Sequence, residues 1–319
     1  MCYTSTMDSA DNKITFLWGT PEEVAARDHT GLPTFRLCRE GGAFPPVAQT
    51  FDFMPGDGTH LLMRDDRPVA ATWSDADADY CLMAGVTPPN ISAPRGEQAS
   101  ETFLEIERVL AKAGMTFANV VRTWLYIDDV CDWYGEFNAA RTAFFNTRNV
   151  FETFLPASTG IGCANLDGAA VMAGAFAMKS RRDGVRAEIV ESPLQAPAMA
   201  YKSSFSRAAE WITPARRRLF ISGTASIQPN SHEVAFVGDI ERQIDCTMKA
   251  VLAILESRGY GWQDTARSIV YLKKPEFLPA WRAWLAEHRL PTTFAAETVC
   301  DVCRDEWLFE IELDAVRNM

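Results

Sequence analysis

The segment at residues 307–314 carries the side chains best suited to acid–base chemistry, because three carboxylates alternate there with apolar residues. Side chains in a strand alternate between its two faces, so the spacing predicts Glu310, Glu312 and Asp314 on one face. Trp307 and the other apolar residues then lie on the opposite face, beneath helices. Carboxylates crowded on one face raise one another's pKa, and partial burial acts in the same direction. One of them can therefore stay protonated near neutral pH and act as a general acid, the alternative being a solvated or salt-bridged face.

The other reactive side chains form no familiar constellation. Cys300 and Cys303 make an isolated C-x-x-C pair. Their segment is predicted as a strand, in which the two thiols point to opposite faces, and no second pair completes a zinc site. The sequence shows neither a nucleophilic triad nor a glycine-rich nucleotide loop. We therefore expect no metal and no cofactor.

The elements that position these residues occur twice along the chain. Matching positions recur at a constant spacing of 145. They include Gln98, Thr102, Arg122 and Tyr126 in the first copy and Gln243, Thr247, Arg267 and Tyr271 in the second. Each copy predicts an amphipathic helix that ends near a glycine, a β-branched strand, a second helix with aromatic residues and a final strand. The predicted helices span residues 97–113 and 133–145 in one copy and residues 239–258 and 277–288 in the other.

The predicted fold class is α+β, with two such units, mixed sheets and helices packed on one sheet face. Residues 1–70 do not repeat the pattern and contain strand-like pieces, such as residues 50–54 and 60–63. We therefore divide the chain into a strand-rich N-terminal extension at residues 1–70, a first unit at 71–185 and a second unit at 186–319.

The last strands of the two units differ in their chemistry. Alignment of the repeats sets the three carboxylates of the second unit against Met172, Gly174 and Phe176 of the first. The first unit is therefore degenerate, and the sequence predicts one active site that is built mainly by the second unit.

The order of these elements resembles the reactive-intermediate deaminase superfamily, with its YjgF-like or RidA-like (chorismate mutase-like) fold. Several segments resemble, more specifically, the chorismatases, which contain two such units. These segments are residues 133–141, 156–162, 203–208, 222–227 and 301–306. The resemblance implies a cofactor-independent enzyme that hydrolyses the enol ether of chorismate. The implied products are pyruvate and either a hydroxybenzoate or a dihydroxycyclohexadiene carboxylate.

The resemblance also implies roles for individual residues. It assigns the proton donor to Glu310, the first glutamate of the Glu-Ile-Glu motif. Cys303 resembles the cysteine of the branch that forms 3-hydroxybenzoate, whereas Ala225 resembles the hydrolytic branch, so the product stays open. Gly223, Thr224 and Ala225 resemble an active-site loop in which a small residue lets the substrate ring approach the backbone. The alternative for Gly223 is a turn glycine at positive φ.

Binding of the two substrate carboxylates is expected from basic residues near this loop. Arg207 is the first candidate, with Arg304 and Lys202 behind it, because a planar guanidinium pairs with a carboxylate through two hydrogen bonds. Tyr201 is a candidate hydrogen-bond donor to substrate. Thr159 and Gly160, in the first unit, could offer backbone N–H groups to a carboxylate.

Composition limits the possible partners. The chain of 319 residues has a net charge of −11, which disfavours nucleic acid and anionic membranes. No apolar run is long enough to span a bilayer, and the first residues do not resemble a secretory signal. We expect a cytoplasmic enzyme that acts on a small molecule, as either a monomer or a trimer.

Two other functions are compatible with the fold. The single-domain deaminases look as though they use an arginine after Pro-Ala, but Ser158 follows Pro156 and Ala157 in this chain. A non-enzymatic sensor of small molecules is the second alternative. The missing arginine disfavours the deaminase, and retention of Glu310 and Arg207 favours the enzyme over the sensor.

Overall fold

The described residues of the repeated and non-repeated parts build three β-sheets and the helices that cover them. The structure, a computed structural model, describes residues 3–7, 12–28, 31–39, 44–53, 57–201, 203–229, 231 and 233–319. The α-helices within these ranges are α1 (Pro21–Ala25), α2 (Arg95–Lys112), α3 (Val130–Thr147), α4 (Val150–Thr153), α5 (Ile240–Ser257) and α6 (Leu278–Glu287). The strands there are β1 (Tyr3–Met7), β2 (Lys13–Gly19), β3 (Thr34–Cys38), β4 (Val47–Asp52), β5 (Asp57–Arg64), β6 (Arg67–Ser74), β7 (Ala78–Val86), β8 (Val120–Ile127), β9 (Ala157–Gly162), β10 (Ala164–Asn165), β11 (Val171–Ser180), β12 (Arg186–Val190), β13 (Ala208–Ile212), β14 (Arg216–Ala225), β15 (Thr265–Leu272), β16 (Ala296–Val299), β17 (Asp301–Val302) and β18 (Phe309–Asn318).

The two large sheets have six strands in corresponding order, and the first sheet has one further strand at each edge. The first sheet runs β1-β5-β6-β7-β11-β8-β9-β17, and the second runs β12-β13-β14-β18-β15-β16. Both are mixed, because β8 pairs with β9 and β15 pairs with β16 in parallel, whereas the other neighbours are antiparallel. Helices α2 and α3 cover one face of the first sheet, and α5 and α6 cover one face of the second. The predicted α+β class with two similar units is confirmed.

The internal repeat is visible as a local twofold contact. The hydroxyl groups of Tyr126 and Tyr271, which are equivalent in the two units, lie 2.8 Å apart in a hydrogen bond. Contact between equivalent residues is the mark of a twofold arrangement. The register confirms the alignment of the last strands, since Met172 pairs with Tyr126 as Glu310 pairs with Tyr271.

The repeated glutamine and glycine fix the ends of the long helices. Gln98 donates to the carbonyls of Ile91 and Ala93, and Gln243 donates in the same way to the carbonyls of Phe236 and Glu306. Each glutamine thus ties the start of its helix to a neighbouring loop. After the helices, Gly114 has a φ of 67° and Gly259 a φ of 79°, as predicted for left-handed helix ends.

The segment around Cys300 and Cys303, predicted as a strand, is a strand only at Asp301–Val302. Strand β17 ends at Val302 and pairs with β9 of the first sheet, whereas β18 begins at Phe309 in the second sheet. The chain crosses from one sheet to the other through a turn at residues 303–306, so alternation does not continue through it. Trp307 therefore packs with Ala225 and Ile227 instead of under the helices.

A 4-stranded sheet, β10-β3-β2-β4, packs against the first sheet on the face opposite α2 and α3. The strand predicted at residues 50–54 corresponds to β4, although Met54 lies outside the described residues, and residues 60–63 lie within β5. No helix among the described residues is both long and apolar enough to cross a membrane.

Candidate functional site

A cavity between the two units collects most of the residues singled out in the sequence. Helix α3 and strand β9 of the first unit line one side of it, and β14, β18 and the turn after β17 line the other. Its volume is about 50 Å³, which is smaller than the roughly 300–1,000 Å³ of typical small-molecule pockets. The predicted residues that line it are Gly160, Arg207, Gly223, Ala225, Cys303, Arg304 and Glu310.

Glu310 is the acid of this cavity. It lies on β18 opposite Ala225 of β14, so both side chains point to the same sheet face, and only 5% of its surface is exposed. Burial, followed by the nearby charge of Glu312, raises its pKa to about 8, while Arg122 and Arg207 act in the opposite direction. The carboxyl group is therefore mainly protonated at neutral pH, as the sequence predicted for one of the three.

The other two carboxylates of the face are buried and ion-paired. Glu312 accepts hydrogen bonds from Arg122 at 2.8 Å, from the indole of Trp124 at 2.9 Å and from Arg267. Burial alone would raise the pKa of Asp314, but Arg267 and Arg218 outweigh it and hold that pKa at about 2. The face is thus neither solvated nor uniform, since one carboxyl faces the cavity and two are held by arginines.

Gly223 makes room for the acid. It lies in a β-bulge of β14, where the register against β18 shifts between Ile221 and Thr224. A Cβ atom at Gly223 would lie 2.1 Å from Oε1 of Glu310. Its φ is not in the left-handed region. The requirement for glycine is therefore the close approach of the carboxyl group, not the positive φ considered from the sequence.

Thr159 and Thr224 do not line the cavity. The hydroxyl of Thr159 accepts a hydrogen bond from the N–H of Gly223 at 3.1 Å and another from Arg122, so it joins the two units behind the acid. Thr224 is buried opposite Ile311, and its hydroxyl donates to the carbonyl of Ser222 at 2.8 Å. Both threonines support the loop rather than face the open space.

Three arginines surround the cavity. Nε and Nη2 of Arg207 donate to the carbonyl of Ala196 at 3.0 and 2.8 Å, which fixes the guanidinium group. Arg304 lies over the indole of Trp307, its guanidinium carbon 5.1 Å from the ring centroid. Arg141, on α3, also lines the cavity and donates to Asn138.

Sequence reasoning missed Arg141 and its neighbour Tyr134 as site residues, although both lie in the segment at residues 133–141. Tyr134, Asn138 and Arg141 are spaced four and three residues apart, which puts them on one helix face. That polar stripe on an otherwise aromatic helix was the available signal.

Two predicted binding residues cannot be placed in the cavity. Lys202 lies outside the described residues. Tyr201 ends a short 3₁₀ helix (Ala198–Tyr201), and its side chain is likewise outside the described part of the structure.

Cys303 reaches the cavity because the strand is broken after Val302. Burial, and after it the charge of Glu310, raises the pKa of its thiol to about 12, although a hydrogen bond with Tyr134 acts against this shift. The group is therefore a neutral thiol beside the acid. Within the described ranges, no three His, Cys, Asp or Glu side chains lie together in a way that could hold a metal ion.

Comparison with known proteins places this architecture among characterised relatives. A 3-hydroxybenzoate synthase of Streptomyces hygroscopicus is 28% identical over 267 residues, 74% of each chain. A chorismatase of Streptomyces rapamycinicus is 26% identical over 222 residues, which are 61% of this chain and 64% of the relative. A crystal structure of a chorismatase is similar over 98% of both chains, with a TM-score of 0.68 and 19% identity, and that likeness shows the fold.

The resemblance to chorismatases stated from the sequence is thus confirmed. The family model described as endoribonuclease L-PSP matches residues 68–177 and again residues 195–317, once in each unit. The chain therefore belongs to the endoribonuclease L-PSP family and carries two copies of its domain.

Proposed function

We propose that this chain is an enzyme that converts chorismate and releases pyruvate by cleaving its enol ether. The observation that carries the proposal is the buried carboxyl group of Glu310, protonated at neutral pH and facing a cavity that three arginines line. The names of the similar proteins, a 3-hydroxybenzoate synthase and a chorismatase, support the same substrate.

The proposed reaction begins with transfer of the Glu310 proton to the terminal methylene carbon of the enolpyruvyl group. This step leaves an oxocarbenium-like carbon that water can attack. The carboxylate left on Glu310 is stabilised by Arg122 and Arg207, the two cations that already lower its pKa. It can take a proton from the attacking water, after which the hemiketal collapses to pyruvate and the ring alcohol.

Substrate orientation is proposed to come from the arginines. Chorismate carries one carboxylate on its ring and one on its enolpyruvyl group, and each matches the planar fork of a guanidinium group. Arg207 and Arg304 line the cavity from the second unit, and Arg141 lines it from the first. The indole of Trp307 and the ring of Phe205 add apolar surface for the carbocycle.

The ring product depends on whether the ring keeps both hydroxyl groups or loses one of them as water and aromatises, and we propose that Cys303 favours this loss of water, which gives 3-hydroxybenzoate. Its neutral thiol lies beside Glu310 and Tyr134 in the cavity. The Cys303→Val variant should shift the product toward the dihydroxycyclohexadiene carboxylate while pyruvate release continues. Mass spectrometry of the ring products measures the ratio, and Cys246→Val, on α5, is the control. An unchanged ratio would assign product choice to the loop at residues 223–225 instead.

The deciding experiment is pyruvate release from chorismate by the purified chain in the presence of a chelator. Pyruvate should form without added metal or nucleotide, and the ring product should be identified by mass. Folded protein that releases no pyruvate above the uncatalysed rate would contradict the proposal. The deaminase alternative has less support, because Ser158 stands at the position of the deaminase arginine and is held by Ser222 and Thr123.

A further inference from the structure

Cys163 and Cys300 occupy equivalent positions in the two units. Cys163 follows β9, and its N–H donates to the carbonyl of Ile127 at 3.0 Å. Cys300 follows β16, and its N–H donates to the carbonyl of Leu272 at 3.1 Å. Ile127 and Leu272 directly follow the two tyrosines that meet at the local twofold contact, so the two cysteines lie near that contact.

The same two cysteines lie opposite each other across a strand pair. In the antiparallel pairing of β9 with β17, Ile161 is opposite Val302 and Gly162 is opposite Asp301. The next step of this register sets Cys163 against Cys300. Their amides bond to other strands, so the pair is of the non-hydrogen-bonded kind, with Cα atoms about 4.5 Å apart. That separation lies within the range of disulfides, about 4.4–6.8 Å.

The side chains face one another and can be reached from outside. Opposite side chains of a strand pair lie on the same sheet face, and the thiol of Cys163 donates to the carbonyl of Cys38 at 3.3 Å. Both sulfur-bearing residues line an open cavity, distinct from that of Glu310, whose rim includes the exposed residues Asp129 and Asp301. A small oxidant can therefore approach them without unfolding of the chain.

We propose that Cys163 and Cys300 form an oxidative modification site, in which a hydroperoxide converts the two thiols into a disulfide that joins the two units. One thiolate attacks a peroxide oxygen and becomes a sulfenic acid as water or alcohol leaves. The second thiol then attacks that sulfur, the S–S bond forms, and a water molecule departs. Two thiols are oxidised by two electrons, and one peroxide is reduced. The inference does not depend on the proposed function.

The surroundings of Cys163 and Cys300 determine how fast the disulfide forms. The neighbouring Cys300 thiol, followed by burial, raises the pKa of the Cys163 thiol well above its ordinary value, and Arg39 lowers it only in part. The reactive thiolate is therefore scarce at neutral pH. The cross-link should form slowly, under sustained exposure to peroxide, and faster as the pH rises.

The test is peptide mapping of the full-length folded protein after incubation with hydrogen peroxide. Remaining thiols are alkylated during denaturation, so that disulfides cannot exchange, and a non-reducing digest is analysed by mass spectrometry. We expect a linked peptide pair that contains Cys163 and Cys300, that is lighter by two hydrogen atoms than the separate peptides, and that disappears on reduction. Wild-type protein alone supports or refutes this outcome.

Matched variants assign the link. Cys163→Ser and Cys300→Ser should each abolish the linked peptide, whereas Cys246→Ser, on α5, should retain it. Recovery of Cys163 and Cys300 as alkylated or singly oxidised residues after prolonged exposure would overturn the proposal. A link from Cys163 to Cys38 would overturn it as well, because it would mean that the register does not select the partner.

Discussion

The three carboxyl groups that alternate along β18 have different neighbours, and for that reason they differ in their ability to donate a proton. Glu310 lies against Gly223 and the cavity, where burial raises its pKa to about 8. Asp314, four residues further along the strand, has a pKa of about 2 because Arg267 and Arg218 outweigh the effect of burial. Glu312 lies between them and is held by Arg122 and Arg267. Spacing put the three on one face, but contacts with side chains distant in sequence decide which of them can donate a proton.

The substitution Glu310→Gln tests the proton donor. It keeps the shape of the side chain and removes the proton, so turnover should fall by at least about 10²-fold, the scale of a lost general acid. Affinity for chorismate should change little, because the arginines remain. Pyruvate release measures the first quantity and calorimetric titration the second. A variant that keeps near-normal turnover would exclude Glu310 as the donor.

Glu312→Gln tests how the acid is tuned. The rate of the wild-type enzyme at low substrate, kcat/KM, should fall as the pH rises through about 8, since Glu310 must be protonated to act. Removal of the Glu312 charge lowers the pKa of Glu310, so this fall should begin at lower pH. Activity below that fall should be less affected than in Glu310→Gln. Superimposable pH profiles for the variant and the wild type would contradict a tuning role.

At the scale of elements, the β-bulge of β14 is the feature that admits the acid. The bulge inserts one extra residue opposite β18, which sets Gly223 and Ala225 on the cavity side. Its partner strand then brings Glu310 to within 2.1 Å of where a Cβ atom of residue 223 would stand. The proposed proton transfer thus requires the absence of a side chain at Gly223 as much as the presence of Glu310.

Gly223→Ala should therefore displace the carboxyl group of Glu310. A shift of about 1 Å at a reacting group costs on the order of 10²-fold in rate, and we expect a loss of pyruvate release on that scale. Gly160→Ala is the matched control for folding, since a Cβ atom there meets nothing within 4 Å in the same cavity. Its melting temperature should equal that of the wild type. Normal turnover in Gly223→Ala would show that the acid tolerates displacement.

The sequence predicted local elements well and long-range crossings poorly. Periodicity predicted α2, α3, α5 and α6 to within a few residues, because each has an apolar face and a defined end. The prediction failed between Cys300 and Trp307, where β17 joins the sheet of the other unit. Pairing between sheets leaves no periodic signal, because it depends on where the two units meet. The polar residues 304–306, which favour a break in a strand, lie in the turn that follows β17.

In the candidate site, too, local features could be predicted from the sequence and contacts between the two units could not. Cavity-lining residues that belong to recognisable motifs, such as Arg207 and Cys303, could be predicted from the sequence. Two contacts could not be predicted, because each joins the first unit to the second. They are the hydrogen bond between Thr159 and Gly223 and the ion pair between Arg122 and Glu312. Arg141 could have been found from helix spacing.

At the scale of the whole molecule, an N-terminal strand occupies the place in the first unit that corresponds to the Glu310 cavity of the second. Gly85 occupies the bulge of β7 that corresponds to Gly223, but a Cβ atom there would lie 2.5 Å from the carbonyl oxygen of Thr34. Gly174, which corresponds to Glu312, is likewise covered by the ring of Phe35. Strand β3 therefore fills the equivalent space of the first unit. The first unit therefore lacks both the carboxylates of the second unit and the open space in front of them.

The buried acid should also make the stability of the whole molecule depend on pH. Glu310 has an ordinary pKa of 4.5 and a pKa of about 8 in the folded chain, so the folded state binds the proton more tightly between these values. Its contribution to stability is complete below about pH 4.5 and is lost as the pH rises through about 8. A single such group gives a slope of at most about 1.4 kcal/mol per pH unit.

Glu310→Gln removes this dependence, because the amide does not titrate. The free energy of unfolding of the variant, measured by urea denaturation across this pH range, should therefore decline less than that of the wild type. The difference between the two should grow in favour of the variant until about pH 8 and stay constant above it, since the wild type then buries an ionised carboxylate. Glu312→Gln should not behave in this way, because it leaves Arg122 and Arg267 short of a buried counter-charge and should lower stability at every pH. Parallel curves for Glu310→Gln and the wild type would mean that Glu310 titrates near its ordinary pKa. The chain would then lack the neutral carboxyl group that the proposed proton transfer requires.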